Sequence, residues 1–315
     1  MQTIIAQCVG VDISKDTLDV HLHPANLKRR MVNDPIGLAE LVTWLADYQI
    51  TSVVFEPTGA YHHAFERHLA GAGLPLVKVN PRQARRFAQA IGRNAKTDAV
   101  DAAMLARLGA TLDLPVRPAI SQTLDEMKEL YVARRALVKD RVAAKNRGQI
   151  RRSALLKQQA EERLKHIDSQ ILAIDAALRC LRDADAALKA RFDILVSIPG
   201  IGENSALAIL VEMPELGAIE NKAAASLAGL APLARDSGHR RGKRFIGGGR
   251  AELRHALYMP ALVATRFNAD MKAKYQALIA AGKPPKVAIT AIMRKLLILA
   301  NALIRKGDKW AETIA

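Results

Sequence analysis

The chain has 315 residues, half of them hydrophobic, with 47 Lys and Arg against 31 Asp and Glu, a formal net charge of +16. Length and apolar content exclude a disordered tail or a small stapled scaffold and allow two cores, while the charge points to a polyanionic partner, nucleic acid ahead of anionic membrane. No apolar window of about 18 residues lacks charges, and no basic stretch followed by an apolar core opens the chain, so a cytoplasmic protein without a membrane partner is expected.

In chain order, Ile4 to Ile13, Thr17 to His23 and Lys28 to Asn33 read as three antiparallel strands. Gly37 to Tyr48 is helix-like, Val53 to Glu56 a strand, Tyr61 to Ala72 a helix, Pro75 to Val79 a strand and Pro81 to Ile91 a helix. Three strands followed by alternating helices and parallel strands is the ribonuclease H-like arrangement. Asp12 emerges near the end of the first apolar run and Glu56 closes the fourth. Asp98 and Asp101 fall three apart in Lys96-Thr97-Asp98-Ala99-Val100-Asp101, the first turns of a helix with Thr97 as N-cap, and so share one helix face. In that fold, carboxylates from the first strand, the fourth strand and a late helix converge, which matches these four as ligands for a divalent metal in phosphodiester chemistry. Cys8 and Cys180 lie in no zinc-like spacing and are expected to be reduced packing residues.

The stretch 119–198 holds one glycine, Gly148, and no proline, and should be nearly all helix, a hairpin or coiled-coil arm breaking near Gly148. Leu124, Met127, Leu130, Tyr131, Ala133, Leu137 and Val138 recur at helical spacing, as do Leu164, Ile167, Ile171, Ile174, Leu178 and Leu181. Between Arg134 and Arg152, the basic residues Arg134, Arg135, Lys139, Arg141, Lys145, Arg147, Arg151 and Arg152 face only Asp140. Such a run is either a solvated face or a set of phosphate contacts, and the basic chain favours the second. Ile198-Pro199-Gly200-Ile201-Gly202 ahead of an Ala-rich helix reads as a helix-hairpin-helix offering backbone N–H groups to a phosphate through Gly200 and Gly202, or as an ordinary bend with left-handed glycines. The segment 231–250 is the most basic and least periodic, with too many glycines for a helix, and must be a loop or hairpin. Ser237 sits there beside Gly238, with Arg240, Arg241, Lys243, Arg244 and Arg250 near in sequence. Its hydroxyl is either a phosphate-binding group, the commoner case on local chemistry alone, or a nucleophile that others must activate. His239 is a general acid–base or one more phosphate contact.

Together, Val9-Gly10-Val11-Asp12-Ile13-Ser14-Lys15, Phe55-Glu56-Pro57-Thr58-Gly59, Asn80-Pro81 with Ala95 to Ala102, Ile198 to Gly202, and Gly229-Leu230-Ala231-Pro232 to Ser237-Gly238 resemble the bridge-RNA-guided insertion-sequence transposases, the DEDD recombinases of bacterial mobile elements. The resemblance spans almost the whole chain. It implies a RuvC-like, resolvase-type catalytic domain over 1–115, a helical coiled-coil arm used in dimerisation over 116–192, and a mainly helical transposase domain with a catalytic serine over 193–315. Carried onto this sequence, the carboxylates are Asp12, Glu56, Asp98 and Asp101 and the serine is Ser237. The resemblance also implies Mg²⁺, donor and target DNA, a structured guide RNA, a dimer and tetramer of the chain itself, and a nucleoid-associated bacterial setting. Ile246-Gly247-Gly248-Gly249-Arg250 is more glycine-rich than the resemblance leads one to expect.

Rival readings are a junction-resolving nuclease that uses water in place of Ser237, and a non-catalytic nucleic-acid-binding protein, which would need no convergent carboxylates. An actin-like kinase also carries Val-Gly-Val-Asp on its first strand, but a glycine-rich turn should follow where this chain has Ser14-Lys15-Asp16. Because the helical stretch separates Ser237 from the carboxylates, the working site is expected to be shared between protomers.

Overall fold

The computed structural model describes residues 6–59, 61–92, 98–116, 121–149, 152–238, 242 and 244–311, with backbone alone at 98–100. Thr97, the expected N-cap, lies outside the described residues. The chain divides into two units, Met1–Gln122 and Thr123–Ala315, so the expected arm groups with the C-terminal helices.

In the first unit the alternating runs become β1 (Gln7–Ile13), β2 (Thr17–His23), β3 (Leu27–Val32), β4 (Ile50–Phe55) and β5 (Leu76–Lys78). They form one mixed sheet in the order β3-β2-β1-β4-β5, with β1, β2 and β3 antiparallel and β1, β4 and β5 parallel. The helices α1 (Pro35–Leu45), α2 (His62–Gly71), α3 (Pro81–Ala90) and α4 (Asp98–Thr111) cover it. Asp34 caps α1 by accepting from the Gly37 N–H, and Asn80 caps α3 by accepting from the Arg82 N–H.

The two-residue alternation of the strands sorts the core into two layers. Val9, Val11, Ile13, Val53 and Phe55 pack with Leu38, Leu41, Trp44, Phe65 and Leu69 of α1 and α2. Cys8, Val54, Val77 and Val79 pack on the other face with Ala84, Ala88, Met104, Leu105 and Leu108 of α3 and α4. The approach of α4 is unusually close. A Cβ on Gly10 would stand 2.0 Å from the Ala102 carbonyl oxygen and 2.3 Å from the Ala106 nitrogen, and one on Gly109 would stand 2.4 Å from Val54 and 2.5 Å from the Cys8 sulfur. The missing side chain of Gly10 thus lets the helix backbone rest on the strand, and that of Gly109 leaves room for the Val54, Cys8 and Ser52 side chains.

The second unit is helical: α5 (Gln122–Gln149), α6 (Ala154–Ala184), α7 (Ala186–Ser197), α8 (Glu203–Glu212), α9 (Asn221–Leu227), α10 (Ala251–Phe267), α11 (Ala269–Ala280) and α12 (Pro285–Lys306). Among the described residues α5 extends to Gln149 and α6 starts at Ala154, so the two helices meet near Gly148. Leu137, Val138 and Ala144 of α5 pack against Leu164, Ile167 and Ile171 of α6. Arg134 pairs with Asp175 and Arg141 with Asp168, so contacts step forward on one helix as they step back on the other, the register of an antiparallel hairpin. Cys8 is buried, as expected, but Cys180 is exposed on α6, because it lies off the stripe marked by Ile171 and Leu178. Helix α12 is long and apolar enough to cross a membrane by composition, yet its Ile292, Leu296, Leu297 and Ala300 are buried in this unit.

Gly10→Ala is predicted to destabilise the chain by about 2 kcal/mol or more, since the new methyl group meets backbone that has no rotamer to yield. Chemical denaturation measures it, and a loss under about 0.5 kcal/mol would show that α4 moves away freely.

Candidate active site

Parallel register brings two of the expected carboxylates together. Val11 of β1 pairs with Phe55 of β4, so Asp12 and Glu56 each follow the last paired residue on adjacent strands. Val11 and Phe55 face α1 and α2, so the alternation turns Asp12 and Glu56 toward α4. Gly109 rests over Cys8, and Ala102 and Ala106 rest over Gly10, so α4 runs antiparallel to β1. Two further strand residues, about 6.6 Å, match roughly four helix residues at 1.5 Å each. That step carries the helix from Ala102–Ala106 to its first turn, Asp98 to Asp101, beside Asp12. Asp12, Glu56 and Asp101 are each partly exposed at this edge, and the N-terminal end of α4 adds a partial positive charge that favours carboxylates there. The side chain of Asp98 lies outside the described residues.

Carboxylate oxygens are the donors a hard divalent cation takes. Among the described residues, no group of three or more His, Cys, Asp or Glu stands close enough to hold a metal. The three described carboxylates share an edge, not a finished coordination sphere.

Two features of this edge escape sequence reasoning. Asp19 of β2 pairs directly with Asp12, and its charge is met by Arg30 of β3, whose Nε and Nη2 donate to it at 3.0 and 2.8 Å. The edge also carries a nearly buried cluster on the α2 side. Lys78 Nζ stands 2.6 Å from Glu66 and 3.3 Å from His62 Nε2. Only a period-two reading of β5 set beside an i,i+4 reading of α2 could have hinted at it. Burial, and then the positive charges of Lys78 and His63, push the His62 pKa below its ordinary value, against a smaller opposing pull from Glu66. Asn33 braces the edge loops, donating from Nδ2 to the Ser14 carbonyl at 2.8 Å and the Tyr61 carbonyl at 3.3 Å.

In the second unit, Ser237 is exposed in a loop between α9 and α10. The loop is closed by an antiparallel bridge between Leu233 and Phe245, and the Arg250 N–H donates to Leu227 at 2.8 Å. The extra glycines explain themselves here. Gly229 and Gly249 have φ of 66° and 56°, and a Cβ on Gly249 would stand 2.4 Å from both the Gly229 nitrogen and the Leu227 oxygen. Arg254 ties the same neck by donating to the Ala228 carbonyl at 3.1 Å and to that of Gly248.

The basic residues divide between inward and outward roles. Arg134 donates to Asp175 at 2.5 Å, and Arg135 pairs with Glu252 and Glu212, so both guanidinium groups are engaged inside the unit. Arg250 makes a two-pronged pair with Glu215 at 2.9 and 2.6 Å, and Arg235 stacks on Phe245 at 4.2 Å. Lys145, Arg147, Arg152 and Arg244 are exposed. Arg151, His239, Arg240, Arg241 and Lys243 lie outside the described residues. Gly200, with φ of 109°, seats its α-carbon against α10, where a Cβ would stand 2.7 Å from the Pro260 oxygen, whereas Gly202 has open space around it.

Comparison with known proteins places these features in a family. Residues 9–157 match a transposase model of the IS110 DEDD type, and residues 192–276 match a model described as transposase, IS116/IS110/IS902 family. Two proteins, each named pilin gene-inverting protein, from Moraxella lacunata and Moraxella bovis, are each 31% identical over 321 residues, covering 97% of this chain and 98% of theirs.

A pH dependence follows from His62. Its folded pKa lies below the unfolded value near 6.5, so the unfolded chain takes up the proton first as pH falls. The stability held by the neutral ring is complete above about pH 6.5 and is lost as pH falls through the depressed folded value. Replacing His62 by Gln is predicted to flatten this part of the acid limb in thermal melts between pH 7 and 5. An unchanged limb would remove His62 as its source.

Proposed function

The chain belongs to the IS116/IS110/IS902 family of transposases and is a DNA recombinase by that membership, and from this premise we propose that it cuts and rejoins DNA through a covalent link to Ser237. The reading gives the first unit a RuvC-like, ribonuclease H-like catalytic role. Asp12, Glu56, Asp98 and Asp101 would hold a divalent cation, Mg²⁺ by choice, which when bound would polarise the scissile phosphate and favour the serine alkoxide. A structured bridge RNA supplies the match to donor and target DNA, so the protein's own surfaces need only hold backbone. The observation that carries the reading is the shared edge: Asp12 and Glu56 in adjacent register, with the first turn of α4 laid beside them.

In the chemical step a bond forms between Ser237 Oγ and phosphorus as the bond to a deoxyribose oxygen breaks. The serine proton passes to solvent and the leaving oxygen gains one. One phosphodiester replaces another, so the freed strand hydroxyl can attack in reverse and rejoin DNA without a nucleoside triphosphate. The names of the two relatives speak of inverting a gene, which requires joining as well as cutting, and this supports a nucleophile that conserves the bond over water. Ser237 suits the role by its exposure on a loop with a fixed neck, and the hydroxyl still needs a group to activate it.

Assembly into dimers and tetramers belongs to the same proposal. The hairpin of α5 and α6 leaves Val132, Val142 and Leu172 exposed, each more than half accessible, which suits a helical dimer contact. With carboxylates and serine on different units, a site built from two protomers lets cleavage wait for a full complex. Mixing Asp98→Ala with Ser237→Ala under conditions of subunit exchange is therefore predicted to recover cleavage that neither variant shows alone. No recovery in demonstrated mixed oligomers would mean that each chain completes its own site.

A further inference from the structure

A row of arginines on α3 borders the carboxylate edge, and nothing in the family reading assigns it. The register places it there. Phe55 pairs with Lys78, and the Val79 N–H donates to the Phe55 carbonyl at 3.0 Å, so Val79 stands beside the Phe55–Glu56 step at the end of the sheet. Asn80 then caps α3, and Arg82 follows in its first turn. Ala84 and Ala88 are the buried face of this helix, packed with Val77 and Val79 on the same side of the sheet that Glu56 faces. At 100° per residue, Arg82, Arg85 and Arg86 therefore project away from the core, and all three are exposed.

Among the described residues none of the three makes a salt bridge, unlike Arg30, Arg134, Arg135, Arg141, Arg182 and Arg250. No acidic residue occurs anywhere between Glu66 and Asp98, so no neighbouring carboxylate in sequence offsets them. Three like charges on one helical turn repel one another and give no stability in return. The span from Arg82 to Arg86, about 6 Å along the axis, is close to the rise of two nucleotides on one strand at roughly 3.4 Å each.

We propose that Arg82, Arg85 and Arg86 form a phosphate-binding face that holds the DNA strand as it passes the carboxylate edge. The inference rests on the reading of the chain as a DNA transposase and adds a DNA contact in the catalytic unit itself. Guanidinium groups suit this because each presents a planar fork to phosphate oxygens and stays charged at any working pH. Such contacts carry no sequence information, so they fit a protein that leaves sequence matching to another component.

The test compares the full-length chain with the triple variant Arg82→Gln, Arg85→Gln, Arg86→Gln and with the matching triple lysine variant. The probes are a labelled duplex DNA of arbitrary sequence and an RNA hairpin of equal length, each titrated over a salt series. Gln keeps helix propensity and all three sites are exposed, so thermal melts should not change. The expected result is a log–log salt slope on duplex lowered by roughly 2 to 3 in the Gln variant, about 0.9 per lost contact, and restored by Lys. An unchanged slope on DNA that the wild type does bind would overturn the inference and leave the transposase reading intact. A slope that falls only on the RNA hairpin would assign the face to RNA and overturn it equally. Failure of the wild type to bind DNA at any salt would overturn the functional reading first.

Discussion

The rest of the first unit depends on two glycines that let α4 lie directly on the sheet. An ordinary helix is held off a sheet by the side chains that fill the gap, whereas Gly10 and Gly109 remove the side chains at the crossing. The helix is thereby held in angle and in register along β1. Register matters because an axial slip of one residue would move the Asp98–Asp101 turn by about 1.5 Å and rotate it by 100°. The same contact that closes the core thus sets the position of two acidic residues against two others. An edge built this way is positioned by backbone contact at Gly10 more than by long side chains, which would suit the proposed cation site.

The second unit applies a similar device to a different end. Gly229 and Gly249 bring two chain segments together at the neck of the Ser237 loop, and Arg254 and Arg250 fasten it. The neck is fastened while Ser237 stays exposed, an arrangement that would suit the proposed nucleophile. Several arginines that look available in sequence are spent in fastening: Arg134 and Arg135 anchor α5, and Arg250 anchors the loop. The net charge of +16 therefore overstates the number of free phosphate contacts, and the exposed arginines on α3 weigh more than their number suggests.

The elements were legible because β2 alternates every two residues, β1 and β4 are apolar runs of strand length, and side-chain caps mark the starts of α1 and α3 at Asp34 and Asn80. That Asp12 and Glu56 follow the ends of two neighbouring strands was legible too, since they sit where their apolar runs end. Asp19 beside Asp12 was not, because the pairing depends on the turn between β1 and β2, which no pattern of hydrophobicity sets. The cluster of His62, Glu66 and Lys78 needs the parallel register of β4 and β5 together with the placement of α2. The engagement of Arg134 and Arg135 was hidden because a basic run has the same spacing whether it meets solvent, phosphate or a facing helix. Only the antiparallel register of α5 and α6 puts Asp175 opposite Arg134. Cys180 was misread because cysteine is commonly buried, while the stripe on α6 turns it outward.

Mn²⁺ titration followed by electron paramagnetic resonance most directly tests whether one edge gathers the carboxylates into a single cation site. The measurement compares the full-length chain with Glu56→Gln and Asp101→Asn, one from the end of a strand and one from the first turn of α4. A shared site predicts that each substitution alone weakens Mn²⁺ binding by roughly tenfold or more, about 1.4 kcal/mol, with thermal stability nearly unchanged. Equal Mn²⁺ affinity in the wild type and either variant would contradict the account, because the strand and helix carboxylates would then not serve one ion.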